Sequence, residues 1–292
     1  MDTDNPLGRF LRARRALTSP EQTGLPLTGR RRVPGLRRVP GLRREEVAIL
    51  SGVSTDYYVR LEQGRERRPS AQVVDALARA LGLDEDSTAH LHRLAHPTAG
   101  GRAPERGERV NPVLLNMMQG WHRTPALVLG RRLTVLAHNT LGAALFDGHT
   151  HSADLLRLVF LDAHARDFYP DWEQVAAGTV AALRANTTTE TTDPRLAATV
   201  GELCLKSQEF ARLWARHDVR RKTHESKRFR HPLVGELTLD YETLTVNSAP
   251  GQQLVVYQAA PGSASEQGLA LLGSLAVQDA DRAPRPHPAP EH

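Results

Sequence analysis

The chain has 292 residues, 40% of them hydrophobic and 24% charged, enough for two ordinary domains with a buried core in each. It holds no run of about 18 apolar residues, and its start, MDTDNPLGRF, lacks the basic-then-apolar layout of an export signal; membrane insertion and secretion are not expected, and the cytoplasm is. The net charge of +5 gathers at one end, since residues 1–70 carry 15 arginines against eight acidic residues and the remainder 23 basic residues against 25 acidic ones, so the N-terminal part is expected to meet nucleic acid through arginine's phosphate-matched fork.

In chain order, residues 6–17 (PLGRFLRARRAL) place Leu7, Phe10, Leu11 and Leu17 on one helical face. Residues 18–41 follow as an irregular loop rich in proline and arginine, within which the hexapeptide VPGLRR begins at Val33 and is repeated at once from Val39. Then LRREEVAILSG reads as a short helix ending at Gly52, and Ser54 caps a second, TDYYVRLEQG, that ends at Gly64. Pro69-Ser70 opens a fourth helix with Val73, Val74, Leu77, Ala78 and Leu81 at helical spacing, and DEDSTAHLHRLAHP supplies a fifth. The expectation is an all-α domain over residues 1–97, a glycine-rich charged linker over 98–110, a second domain over 111–278 and a disordered tail over 279–292.

The second domain reads differently. PALVLGRRLTVLAHN, residues 125–139, is expected to form a hairpin about Arg131-Arg132, and helices are expected at about 152–165, 170–186, 194–204 and 207–217. Period-two alternation in TLDYETLTV and the apolar run LVVYQ, with turns at His231-Pro232 and Pro250-Gly251, predict three antiparallel strands, and SEQGLALLGSLA a last helix. The class is therefore α+β, with a sheet of about five strands. The single cysteine, Cys204, has no internal disulfide partner and reads as a small buried hydrophobe.

Residues 44–70, REEVAILSGVSTDYYVRLEQGRERRPS, resemble the helix-turn-helix of the repressor-like (XRE) DNA-binding family. The likeness rests on Ala48 in the first helix, the turn glycine Gly52, the capping Ser54, the anchors Val47, Val53, Tyr58 and Leu61, the exit Glu62-Gln63-Gly64, and Pro69-Ser70 opening the next helix. It implies double-stranded DNA as partner, with Thr55, Asp56, Tyr57 and Arg60 facing base edges. Arg60 suits guanine N7/O6 and Asp56 the cytosine amino group. Arg44, Ser54, Arg65, Arg67 and Arg68 are the phosphate-contacting candidates.

The wider order of segments, from LGRFLRARR through HLHRLA to NMMQGWHRTPALVLGRRLTVLAHN, FYPDWEQVAAGTVAALR and LVVYQAAPGS, is similar to actinobacterial regulators that join this helix-turn-helix to an MmyB-like ligand-binding domain. That resemblance implies a PAS-like fold and a small, apolar, fatty-acid-like ligand. Trp121, Phe160, Tyr169, Trp172 and Trp214 are the large side chains available to line a site, with Asn139, Arg166 and His231 as candidate polar anchors. The alternative is a domain that only dimerises or docks a protein partner. A homodimer is expected in either case, because two half-sites one helical turn apart are read economically by two copies.

An enzyme is not expected. His149-Thr-His151 with Asp154 imitates a metal cluster but reads as a polar loop, and no HExxH, paired cysteines, nucleophile elbow or phosphate-binding glycine pattern occurs, so neither metal nor cofactor is anticipated. The family pattern holds VPGLRR once. Pro40 bars a helix running on from the first copy, so the second copy must serve the usual role. Lengthening the loop from 18 to 24 residues costs only about 0.3 kcal/mol, so a replication slip would be tolerated; the other reading gives Arg37 and Arg38 two more phosphates.

Overall fold

The computed structural model describes residues 5–23, 41–96, 108–186, 193–220 and 224–282. Its helices are α1 (Pro6–Leu17), α2 (Arg44–Ser51), α3 (Thr55–Gln63), α4 (Ala71–Ala80), α5 (Glu85–Ala95), α6 (Pro112–Gln119), α7 (Thr140–Leu145), α8 (Leu155–Leu161), α9 (Ala165–Phe168), α10 (Trp172–Asn186), α11 (Pro194–Lys206), α12 (Gln208–Ala215) and α13 (Ala264–Arg282). The strands are β1 (Ala126–Leu129), β2 (Val135–His138), β3 (His224–His231), β4 (Gly235–Thr245) and β5 (Gln253–Ala259). They pack into two compact units, Met1–Pro104 with Ala177–Arg221, and Glu105–Ala176 with Lys222–His292.

In the first unit the starts of α1, α3 and α5 are each set by a short polar side chain. The Asn5 amide oxygen accepts from the Gly8 N–H at 2.9 Å, Ser54 from Tyr57 at 3.1 Å, and Asp84 from Ser87 at 2.8 Å, so orphan donors of α1, α3 and α5 are satisfied locally. Helices α2 and α3 stop at Gly52 and Gly64, both left-handed at φ 67° and 74°, a conformation glycine adopts without a side-chain clash. Leu7, Phe10, Leu11, Leu42, Val47, Ala48, Tyr58, Leu61, Val74, Leu77 and Leu91 form one buried core. Leu17, expected on the buried face of α1, is exposed instead: it falls in the helix's last turn, on an open cleft it lines with Leu50, Arg79 and Leu81.

The second copy of the repeated hexapeptide is anchored where it leaves the loop. Leu42 is buried and its N–H reaches the carbonyls of Arg15 (3.0 Å) and Thr18 (3.1 Å). A Cβ on Gly41 would lie 2.2 Å from the Arg15 carbonyl oxygen, so this position admits only glycine. The first copy, with Arg37 and Arg38, lies outside the described residues.

Residues 177–221, read from sequence as part of the segment 111–278, belong to this first unit. Ala185 and Val219 enter its core beside α1 and α5, Arg14 pairs with Asp218 at 2.9 Å, and Arg93 donates to the Ala185 carbonyl at 3.4 Å. The Arg184 guanidinium, in a residue 2% exposed, lies 3.9 Å from the Trp214 ring centroid and donates to the Trp214 carbonyl at 2.7 Å.

The second unit is a five-stranded antiparallel sheet in the order β2-β1-β5-β4-β3, with helices packed on it, in agreement with the α+β class. Register puts Glu225, Lys227, Phe229 and His231 of β3 on the same face as Leu237, Leu239 and Tyr241 of β4 and Tyr257 of β5. That face is covered by a ring cluster, with Phe146 6.1 Å, Phe168 5.3 Å and Tyr169 5.6 Å from Phe229, and by α13, whose Gly268 meets Leu237. On the other face Met118 of α6 packs against Ala126, Val128 and Leu254.

The expected helix at 152–165 is two helices. Asp162 interrupts it by accepting from the N–H groups of His164 (2.9 Å) and Thr150 (3.0 Å), a local alternative to the helical ladder. Short α6 and α7 were not foreseen, and α13 runs six residues past Ala276, at which the last helix was expected to end. Of the expected tail, residues 283–292 lie outside the described residues.

Candidate functional site

Helices α2 and α3 meet around Ala48, 2% exposed, where a larger side chain would separate them. Tyr58 and Leu61 fix α3 to the core from one side, and Glu62, 1% exposed, fixes it by charge. Its carboxylate lies 2.7 Å from both Arg15 Nε of α1 and Arg44 Nε of α2. The Glu62 backbone carbonyl also accepts from Asn5 Nδ2 at 3.2 Å and Arg12 Nη2 at 3.4 Å. Two helices, α1 and α2, are thus tied to one turn of α3. Burial, then the charge of Glu62, pushes the Tyr58 phenol far above its ordinary pKa, so it stays neutral beside the carboxylate.

What α3 leaves outward is its opposite face. Asp56 and Arg60 are exposed, Thr55 and Tyr57 half-buried, and the Arg60 guanidinium lies 5.8 Å from the Tyr57 ring centroid, so the ring can orient it. Ser54 is exposed and uses its hydroxyl oxygen on the Tyr57 N–H. Arg65 is exposed; Arg67 donates through Nε to the Gly64 carbonyl at 3.1 Å, and the Arg68 N–H reaches Glu66 Oε1 at 3.4 Å. The structure therefore gathers all nine sequence-derived DNA residues along α3 and its flanks, with Arg44 committed through Nε to Glu62.

The sequence-derived ligand residues do not gather so neatly. Tyr169 and Trp172 are buried in the second unit, where Trp172 donates to the Val159 carbonyl at 2.8 Å and stands edge-on to Phe160 at 6.1 Å. The Arg166 guanidinium covers the Trp172 ring at 3.6 Å. Trp121 packs, half-buried, against the core formed with α6. Trp214 belongs to the first unit, stacked on Phe210 at 5.8 Å and under Arg184, and so stands apart from the others.

Two of the three polar anchors are spent on backbone. The Asn139 oxygen accepts from Ala126 (3.0 Å) and Gly142 (2.8 Å), while its amide nitrogen donates to Trp121 (3.0 Å) and Thr124 (2.8 Å); these four bonds exhaust the side chain in fixing the turn into α7. His231 accepts at Nδ1 from the Leu233 N–H (3.2 Å) and so donates from Nε2 to the Ala144 carbonyl (3.1 Å). Burial holds its pKa below the usual value, so the ring is neutral and presents no charge to a carboxylate. Of the imitation metal cluster, Asp154 caps α8 and pairs with Arg157, and His149 leans on Phe168 at 4.4 Å with Nδ1 3.3 Å from Asp162.

A helix-turn-helix whose second helix projects Arg60 outward, followed in the chain by an α+β unit with an aromatic-covered sheet, defines a DNA-binding regulator with an appended binding domain. Residues 6–91 match a model described as a helix-turn-helix domain, and residues 110–272, more than half of the chain, match the MmyB-like transcription regulator ligand binding domain. The chain belongs to this family, as a ligand-responsive transcription regulator of XRE type. No curated protein matches it. Both matched models describe binding modules, and among the described residues no helix is long and apolar enough to cross a membrane.

Sequence reasoning missed the side chains of the inner sheet face. Lys227, Phe229 and Tyr257 stand there with Tyr169 and Tyr241, and the Lys227 amine lies 4.8 Å from the Tyr241 ring centroid, 5.8 Å from Tyr169 and 6.0 Å from Phe229. HESKRFRH holds a single apolar residue, Phe229, so no apolar–polar alternation marks this face in the sequence, and only the two-residue period of a strand sets Lys227 on the same side.

Proposed function

We propose that the chain reads a specific operator through α3, with Arg60, Asp56, Thr55 and Tyr57 at base edges and Arg44, Ser54, Arg65, Arg67 and Arg68 on phosphates. We propose further that its second unit responds to a small apolar ligand of fatty-acid type. The observation that carries the reading is the division of α3: Tyr58, Leu61 and Glu62 hold one face to the body while Asp56 and Arg60 project from the other. A helix held so rigidly can present a guanidinium in one register to the major groove. Two copies in the cytoplasm reading adjacent half-sites complete the proposal; no cofactor or metal enters it.

Genomic fragments retained by the purified protein supply the duplex for the test. Arg60→Ala is expected to weaken binding to the selected duplex by about 1–3 kcal/mol, roughly 5- to 150-fold, and to weaken binding to a scrambled duplex far less. A variant that kept the parent's affinity and its preference for the selected duplex would remove Arg60 from base readout. Arg68→Ala should act differently, lowering affinity for both duplexes alike and reducing the salt dependence by roughly one counterion.

A further inference from the structure

Arg60 is held differently from the other arginines around α3. Arg15 and Arg44 bind the Glu62 carboxylate, Arg12 reaches the Glu62 carbonyl and Arg67 the Gly64 carbonyl. Among the described residues no carboxylate or carbonyl holds the Arg60 guanidinium; the Tyr57 ring does, with its centroid 5.8 Å away, from three residues earlier on the same helical face. Tyr57 is itself fixed, since it packs half-buried against the core of the first unit and its N–H is bonded to the capping Ser54 at 3.1 Å. Burial, then Glu66, pushes its phenol up, so the ring is neutral. A long side chain in water gives up rotamer freedom when it makes two hydrogen bonds to one base, and a ring that already holds the cation lessens that cost. The part of the ring left outward also offers an apolar surface beside the guanidinium, and the apolar group a major groove presents next to purine acceptors is the thymine methyl.

We propose that Tyr57 and Arg60 form one reading unit whose target is a guanine with a thymine next to it: the guanidinium takes the guanine N7 and O6, and the ring that holds it packs on the thymine methyl group. This rests on α3 being the helix that reads the operator, and it adds the base pair step that a strong site must contain. Tyr57 is then a positioning residue for Arg60 and a contact for the methyl group, with no part for its hydroxyl.

Base analogues placed in the duplex that the full chain selects separate the two contacts, because uracil for thymine deletes only the methyl group and 7-deazaguanine for guanine deletes the N7 acceptor. The retained genomic fragments should share a guanine with a neighbouring thymine. Uracil there should weaken binding by the parent about two- to fivefold, as loss of one buried methyl group implies, and the deaza analogue should weaken it at least about fivefold. Tyr57→Ala should lose the uracil effect and part of the deaza effect, Tyr57→Phe should keep both, and Arg60→Ala should lose the deaza effect. Each readout compares two duplexes on one protein, so a general loss of stability cancels, and Tyr57→Gln repeats the measurement where Tyr57→Ala fails to fold. Selected fragments without the pair, a parent indifferent to uracil, or a uracil effect undiminished in the Tyr57 variants each overturn the proposal. So does a deaza effect equal in parent and Tyr57→Ala, for the ring then holds nothing for Arg60. A parent indifferent to both analogues whose operator preference also survives Arg60→Ala removes the α3 reading itself, and the paired readout with it.

Discussion

Glu62→Ala is expected to lower the unfolding free energy of the first unit by about 3–5 kcal/mol, the largest loss of any single change at the DNA-binding site. The carboxylate is buried and binds two guanidiniums, Arg15 and Arg44, each at 2.7 Å. Of these, the Arg15 side chain is itself only 14% exposed, so removing Glu62 strands a largely buried cation without its counter-charge. Arg44, nearly half exposed, can turn to water at little cost, so the asymmetry between the two predicts which rescue works. Glu62→Ala with Arg15→Met should recover a large part of the loss, whereas Glu62→Ala with Arg44→Met should recover little. Denaturant unfolding of the four proteins measures this, and a single-variant loss under about 1 kcal/mol would show that the carboxylate is not the tie between α1, α2 and α3. Affinity for DNA should fall with the same variant although Glu62 faces away from the groove, because α3 loses the contact that fixes its register.

The helix-turn-helix was legible in the sequence because its devices are local. Gly52 and Gly64 each end a helix in the left-handed region, Ser54 caps the next, and Ala48 marks a crossing, all within about twenty residues of one another. The sheet was legible for a similar reason, since period two survives in β4 and the turns at His231-Pro232 and Pro250-Gly251 announce themselves. What escaped depends on contacts between distant positions. Asn139 looked like a ligand anchor because an isolated asparagine gives no sign that four backbone groups await it. Arg184 reads as a surface residue until Trp214 and His217 close over it from thirty positions away. Trp214 was grouped with the other large aromatics by size alone, and its position in the first unit rests on the burial of Ala185 and Val219, two small residues with no pattern to single them out.

That same packing makes the first unit acid-labile in a defined window. His90, 3% exposed, stands edge-on to Phe10 at 5.3 Å, and burial, then Arg93 and Arg184, lower its pKa to about 3. His217 accepts at Nδ1 from Arg184 Nη1 at 2.9 Å, a bond that a protonated ring could not make; burial, then Arg184, Arg9, His90 and Arg14, bring it to about 3 as well. Both rings must therefore be neutral in the folded unit, while in the unfolded chain they take up protons near pH 6.5. Stability is complete above that value and is lost as the pH falls from about 6.5 toward 3, at about 1.4 kcal/mol per pH unit for each histidine and about 2.7 for the pair. Carboxylates begin to titrate only near the bottom of this range, so the interval from about pH 6.5 to 5 isolates the histidines. Hydrogen exchange of α1 and α5 amides in the full chain, followed across that interval, should show protection falling with both rings intact and falling about half as steeply in His217→Asn. Asparagine suits the test because residue 217 is left-handed at φ 56°, which asparagine tolerates and most side chains do not. An unchanged slope in His217→Asn would mean that the Arg184 side chain accommodates a charged ring and that His217 contributes nothing to the acid lability.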